Sequence, residues 1–109
     1  MMTAMQNETG TARVVLIADD LLLRQRYARE LEADGYVVRQ AASFMDTLLS
    51  PMQDPDVIVL CNLAVMAYPG QSAQVMRISE GTAPAALVRE VHRRVALRAT
   101  LGALAAQAA

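Results

Sequence analysis

The sequence predicts an α/β fold built on a mainly parallel sheet with helices on both faces. Three observations carry that prediction. Val14-Val15-Leu16-Ile17-Ala18 and Val57-Ile58-Val59-Leu60-Cys61 are apolar runs with no polar alternation, the pattern of strands covered on both faces. Between and around them, strand-like and helix-like segments follow in the order strand, helix, strand, helix, strand. The first run stops abruptly at two adjacent carboxylates, Asp19 and Asp20, and the carboxyl ends of strands are where open α/β sheets gather ligands.

Composition sets the scale. The chain has 109 residues, enough for one domain, and is 54% hydrophobic, enough for one core. With aromatics at 4% and no Trp, the interior is filled by Ala, Leu, Val and seven Met. The net charge of −1 excludes a global field favouring nucleic acid or an anionic membrane. All ten basic residues are Arg, so any mechanism that needs a lysine ammonium is excluded. A single cysteine, Cys61, forms no internal disulfide and fits a reducing, cytoplasmic compartment. No segment reads as a signal peptide or membrane span.

Taken in order, residues 1–12 read as a mobile leader, 13–100 as the folded domain and 101–109 as an Ala-rich tail or helix extension. The first strand begins at Arg13. Leu22, Leu23, Tyr27, Ala28 and Leu31 then recur at helical spacing with Arg24, Arg26, Arg29, Glu30 and Glu32 on the other face. Asp20 is a suitable N-cap and Asp34-Gly35 a stop. Tyr36 to Ala41 is β-rich, and its Arg39 and Gln40 point to a sheet edge. Ser43 and Asp46 are spaced as a capping box for a second helix, which Pro51 and Pro55 keep short. The third strand is Val57 to Cys61. A last helix from Pro84 carries an apolar stripe of Leu87, Val88, Val91 and Val95, followed by a second stripe, Leu97, Leu101 and Leu104, rotated away from the first.

These stretches resemble the receiver domain of bacterial two-component response regulators. The resemblance rests on Val15 to Asp20 with its acid pair, on Gly35-Tyr36 with Val38, on Pro55-Asp56-Val57-Ile58-Val59-Leu60, and on Thr82-Ala83-Pro84-Ala85-Ala86-Leu87. It spans roughly residues 13 to 98 and implies a flavodoxin-like receiver fold acting in signalling. The departures carry as much information. At the phosphoacceptor position, where receivers have an aspartate, this chain has Cys61, and the nearest counterpart of the receiver lysine is Arg77. Only fifteen residues separate Cys61 from Arg77, so the fold is shortened and lacks the segment between the third and last strands. Pro69-Gly70 inside that interval favours a turn, so residues 74–78 are expected to fold back antiparallel or to pair with another subunit. The third strand would then be an exposed apolar edge, a template for association. The expected outcome is a homodimer, strand-exchanged through Val75 and Ile78 or in contact through Leu97, Leu101 and Leu104.

For the site, Asp19 and Asp20 have two readings: a helix cap with a solvated neighbour, or half of a magnesium site. Magnesium needs several hard oxygen ligands. Replacing a third carboxylate by Cys61 removes roughly 8 kcal/mol of gross attraction at about 4 Å and an effective dielectric of 20, so at most weak magnesium binding is expected and no other cofactor. Cys61 reads as a small buried hydrophobe whose acid neighbours oppose a thiolate. Arg77 could pair with Asp19 or Asp20 and lock one conformation, in which case Arg77→Ala would destabilise more than Arg24→Ala. His92 has no second ligand nearby and reads as an ordinary helix residue. The function these readings imply is non-enzymatic: a phosphorylation-independent receiver-like domain that binds an unidentified signalling protein and itself. Two alternatives stay open, a phosphorylatable regulator using Asp54 or Asp56, and a thiol redox sensor centred on Cys61.

Overall fold

The structure, a computed structural model, describes residues 12–49, 55–62 and 74–108. In chain order the described elements are β1 (Arg13–Ile17), α1 (Leu21–Ala33), β2 (Val37–Ala41), α2 (Phe44–Leu49), β3 (Val57–Cys61), β4 (Gln74–Ile78) and α3 (Pro84–Ala108). They form one sheet in the order β2-β1-β3-β4, all parallel. This is the α/β architecture of a shortened flavodoxin-like fold.

The apolar runs become the central strands. Val14 to Ile17 of β1 and Val57 to Cys61 of β3 are all at most 2% exposed, because each strand has a neighbour on both sides and a covered surface above and below. The two-residue period splits them between two clusters. Val14, Leu16, Val57, Val59 and Cys61 pack with Tyr27, Ala28 and Leu31 of α1 and with Leu87 and Val91 of α3. Val15, Ile17, Ile58 and Leu60 gather with Ala41 and Val75 on the opposite face. Each fully buried Leu or Val here contributes about 2 kcal/mol of burial free energy. Successive crossovers run in opposite directions along the sheet, and right-handed connections therefore put α1 and α2 on opposite faces.

The edge strand β2 is mostly open, with Val37, Arg39 and Gln40 exposed, Val38 half-buried and only Ala41 buried. Helix α2 begins as its cap residues predict: Ser43 Oγ accepts from the Asp46 N–H at 3.2 Å, and the Asp46 carboxylate accepts from the Ala42 N–H at 3.2 Å. One residue of the α1 stripe is displaced. Leu22 is 76% exposed, because Leu23, Tyr27, Ala28 and Leu31 already define the inward arc and Leu22 lies about 100° from Leu23 around the axis.

The fourth strand overturns the expectation for residues 74–78. β4 runs parallel to β3 in the same chain, with Val57 opposite Gln74 and Cys61 opposite Ile78. The antiparallel return is not observed, and β3 is central rather than an edge. The physical reason is a count: residues 62–73 number twelve, the length at which a parallel crossover becomes feasible. The course of that crossover, Pro69-Gly70 included, lies outside the described residues. Val75 and Ile78, expected at a dimer contact, each pack against one of the two clusters of their own chain.

Helix α3 is one element of 25 residues, about 37 Å long, against strands of about 17 Å. Its first half lies on the sheet through Leu87, Val88, Val91 and Val95. Beyond Arg98 every residue through Leu104 is exposed.

Candidate functional site at the carboxyl edge of the sheet

The strand order reverses between β1 and β3, and at such a switch point the loops leaving the two strands diverge to opposite faces and leave a crevice. Asp19 and Asp20 follow β1 there, Cys61 ends β3 and Asn62 follows it. Ser79 and Glu80 complete the edge after β4.

Asp20 caps α1. Its backbone is extended, with φ −82° and ψ 114°, and its Oδ1 accepts from the Leu23 N–H at 3.0 Å, satisfying one of the donors a helix start leaves open. Asp19 and Asp20 are both exposed. The loop between β1 and α1 is held by Arg24, which donates from its guanidinium to the Ala18 carbonyl at 2.7 Å and from Nε to Gln40 Oε1 at 3.4 Å. Arg24 thus bridges α1 to the ends of β1 and β2, which makes it unsuitable as the inert reference expected from the sequence.

Cys61 is 1% exposed. Burial pushes its thiol upward, and Asp19, Glu80 and Asp20 push it further by stabilising the proton. A thiol held protonated is a poor nucleophile and a poor metal ligand. Asn62 turns the chain with φ +58°, a left-handed conformation that Asn tolerates better than most residues. Its N–H donates to the Ile78 carbonyl at 3.0 Å and its Nδ2 to Glu80 Oε1 at 3.5 Å.

Glu80 is the acid the sequence reading missed, since nothing local links it to the Asp pair. A second missed tie fixes its loop: the buried Tyr27 hydroxyl, shared between two acceptors, reaches the Thr82 carbonyl at 2.7 Å and the Ser79 carbonyl at 3.1 Å. Thr82 Oγ1 also accepts from the Ser79 N–H at 3.2 Å. The apolar spacing of α1 marks Tyr27 as core, but its hydroxyl partner lies more than fifty residues away. Among the described residues no three His, Cys, Asp or Glu side chains are grouped to hold a metal ion. Beside the acids is an open hollow of about 330 Å³ lined by Asp20, Leu22, Leu23, Arg26 and Glu80, a surface of mixed polarity rather than an enclosed, mostly apolar pocket.

Other candidates fall elsewhere. Arg77 is exposed on β4 opposite Leu60, one residue below the carboxyl edge. The ion pairs between described residues are Glu90 with Arg93 and Arg94, and Asp56 with Arg98, so the expected pairing of Arg77 with the acid pair is not among them. Asp56 sits at the amino edge, where the Arg13 N–H donates to its Oδ2 at 2.8 Å and Arg98 donates to its Oδ1. Asp54 lies outside the described residues. His92 is exposed, with Nδ1 3.1 Å from the Tyr36 hydroxyl. No helix among the described residues is long and apolar enough to cross a membrane. Comparison with known protein families, curated proteins and solved structures finds no match to this chain.

Proposed function

We propose that this chain is a receiver-like domain of two-component type that carries out no phosphoryl chemistry and acts in cytoplasmic signalling by binding protein, a second copy of itself included. The observation that carries the reading is the state of Cys61. It occupies the acceptor position at the carboxyl end of the central strand, is 1% exposed, and keeps its proton because burial and three acids oppose its loss. No lysine exists to contact a phosphoryl group, and Asp20 is engaged as a helix cap. An exposed acidic edge beside exposed Leu21 and Leu22 is left to serve as a recognition surface.

The two competing chemistries have less support. Asp56 stands at the opposite end of the sheet with both carboxylate oxygens engaged, and a thiol sensor needs an accessible, low-pKa cysteine. Incubation of the whole chain with acetyl phosphate and magnesium, followed by intact mass, tests the reading. An unchanged mass is expected, and a stable phosphoryl adduct would overturn it.

A further inference from the structure

We infer that the open side of β2 takes an extended segment of another protein as a further, antiparallel strand, with an aspartate or glutamate of that segment opposite Arg39. This rests on the binding reading above and names its surface and the partner's chemistry. In the ladder with β1, Val37, Arg39 and Ala41 turn their backbone groups inward: the Val37 N–H donates to the Ala12 carbonyl and the Ala18 N–H to the Ala41 carbonyl, both at 3.0 Å. Val38 and Gln40 therefore turn theirs outward, and among the described residues nothing bonds those two N–H and two C=O groups. The open row stops at both ends. The Tyr36 N–H already donates to the Leu31 carbonyl at 3.2 Å, and the Ala42 N–H to the Asp46 carboxylate at 3.2 Å.

The opposite edge is guarded. The ladder with β3 turns Val75 of β4 outward, and its carbonyl accepts from Arg94 at 3.4 Å, a guanidinium whose Nε donates to Glu90 at 2.8 Å. Helix α3 thus places a charged side chain over the edge of β4, one of the ways in which sheets block added strands. The outward backbone of β2 has no such cover among the described residues, so a strand is added there.

Register selects the occupant. An antiparallel strand uses all the outward groups only when it pairs with both Val38 and Gln40, which sets its middle residue directly opposite Arg39 in a close, non-hydrogen-bonded pair. A second copy of β2 in that register opposes Arg39 with Arg39, and like charges directly opposite destabilise a ladder. Moving the two-fold axis to Val38 or Gln40 draws in Tyr36 or Ala42, whose N–H groups are already bonded. An acid in the middle position makes the same contact attractive, and the several N–H donors of a guanidinium serve it alongside contacts within the chain. Val37 lies on the same face as Arg39 and is 46% exposed. The segment therefore carries an apolar residue two positions after its acid.

Nuclear magnetic resonance of the full chain tests this, in a titration with a blocked, threonine-rich peptide that has one central glutamate and a valine two positions after it. The Val38 and Gln40 amides should shift and exchange with water more slowly, while those of Arg39 and Ala41, already bonded to β1, keep their exchange rates. A peptide with lysine in place of the glutamate should bind about fivefold more weakly. Arg39→Glu, with unchanged circular dichroism, should reverse that preference. Unmoved Val38 and Gln40 amides at millimolar peptide, equal binding of the two peptides, or a preference that Arg39→Glu does not reverse would overturn the inference. The binding-domain reading fails separately, through the acetyl phosphate adduct.

Discussion

Arg98 of α3 donates to Asp56 at the amino end of β3, on the carboxylate whose other oxygen takes the Arg13 N–H at 2.8 Å. A single side chain therefore ties the starts of two central strands to the helix that covers them. Arg94, one turn earlier, donates to Gln74 Oε1 and the Val75 carbonyl, both at 3.4 Å, so α3 is braced to β4 as well before it leaves the sheet.

Asp56→Ala should accordingly cost about 2 kcal/mol, since it leaves a backbone donor and a guanidinium without their carboxylate. Arg98→Ala should cost about 1 kcal/mol, because the pair is about a third exposed. Urea unfolding of both singles and the double variant measures this. The double should cost little more than Asp56→Ala alone, and fully additive losses would show that the two residues act separately.

At the other edge, Tyr27→Phe should destabilise by about 1–2 kcal/mol, because the Ser79 and Thr82 carbonyls lose their hydroxyl donor. Hydrogen exchange should rise first in residues 79–82. Unchanged exchange there would mean that the loop is held by its own Thr82 contact.

The acid pair should separate under mutation. Asp20→Ala removes the cap and should cost about 1 kcal/mol, with Asp20→Asn largely restoring it. Asp19→Ala should stay within about 0.5 kcal/mol. Thermal unfolding at neutral pH distinguishes them, and equal losses would assign Asp19 a structural role that its exposure does not suggest.

Cys61 should leave a mark on stability at alkaline pH. Its folded pKa is raised, so the folded state keeps the proton after the unfolded chain has released it near about 8.5. The folded state then binds more protons than the unfolded one, and stability falls as pH rises. The contribution is intact below the unfolded thiol value and is lost progressively upward through the folded one. The phenols of Tyr27 and Tyr36 are also raised, but their loss begins nearer pH 10. Urea midpoints at pH 7 and 9.5 should therefore diverge in the native chain and much less in Cys61→Ala. Iodoacetamide should also label native Cys61 far more slowly than the unfolded chain, and labelling at the free-thiol rate would restore the redox-sensor reading.

Much of this molecule was legible before folding was considered. Val14 to Ile17 and Val57 to Cys61 announce doubly covered strands by continuous apolarity, Arg39 and Gln40 announce an edge, and Asp20 announces a cap. Each depends on residues within a few positions of one another, where strand and helix periods and capping are local physics. Tertiary structure decided the rest. Only long-range pairing could make β4 a parallel neighbour of β3, because the hydrogen bonds that choose its direction join residues about seventeen positions apart and a twelve-residue crossover permits either sense. That same pairing brought Glu80 up to Cys61 beside Asp19 and Asp20. It also sent the Tyr27 hydroxyl to Thr82 and left Leu97, Leu101 and Leu104 beyond the reach of the sheet they would otherwise cover.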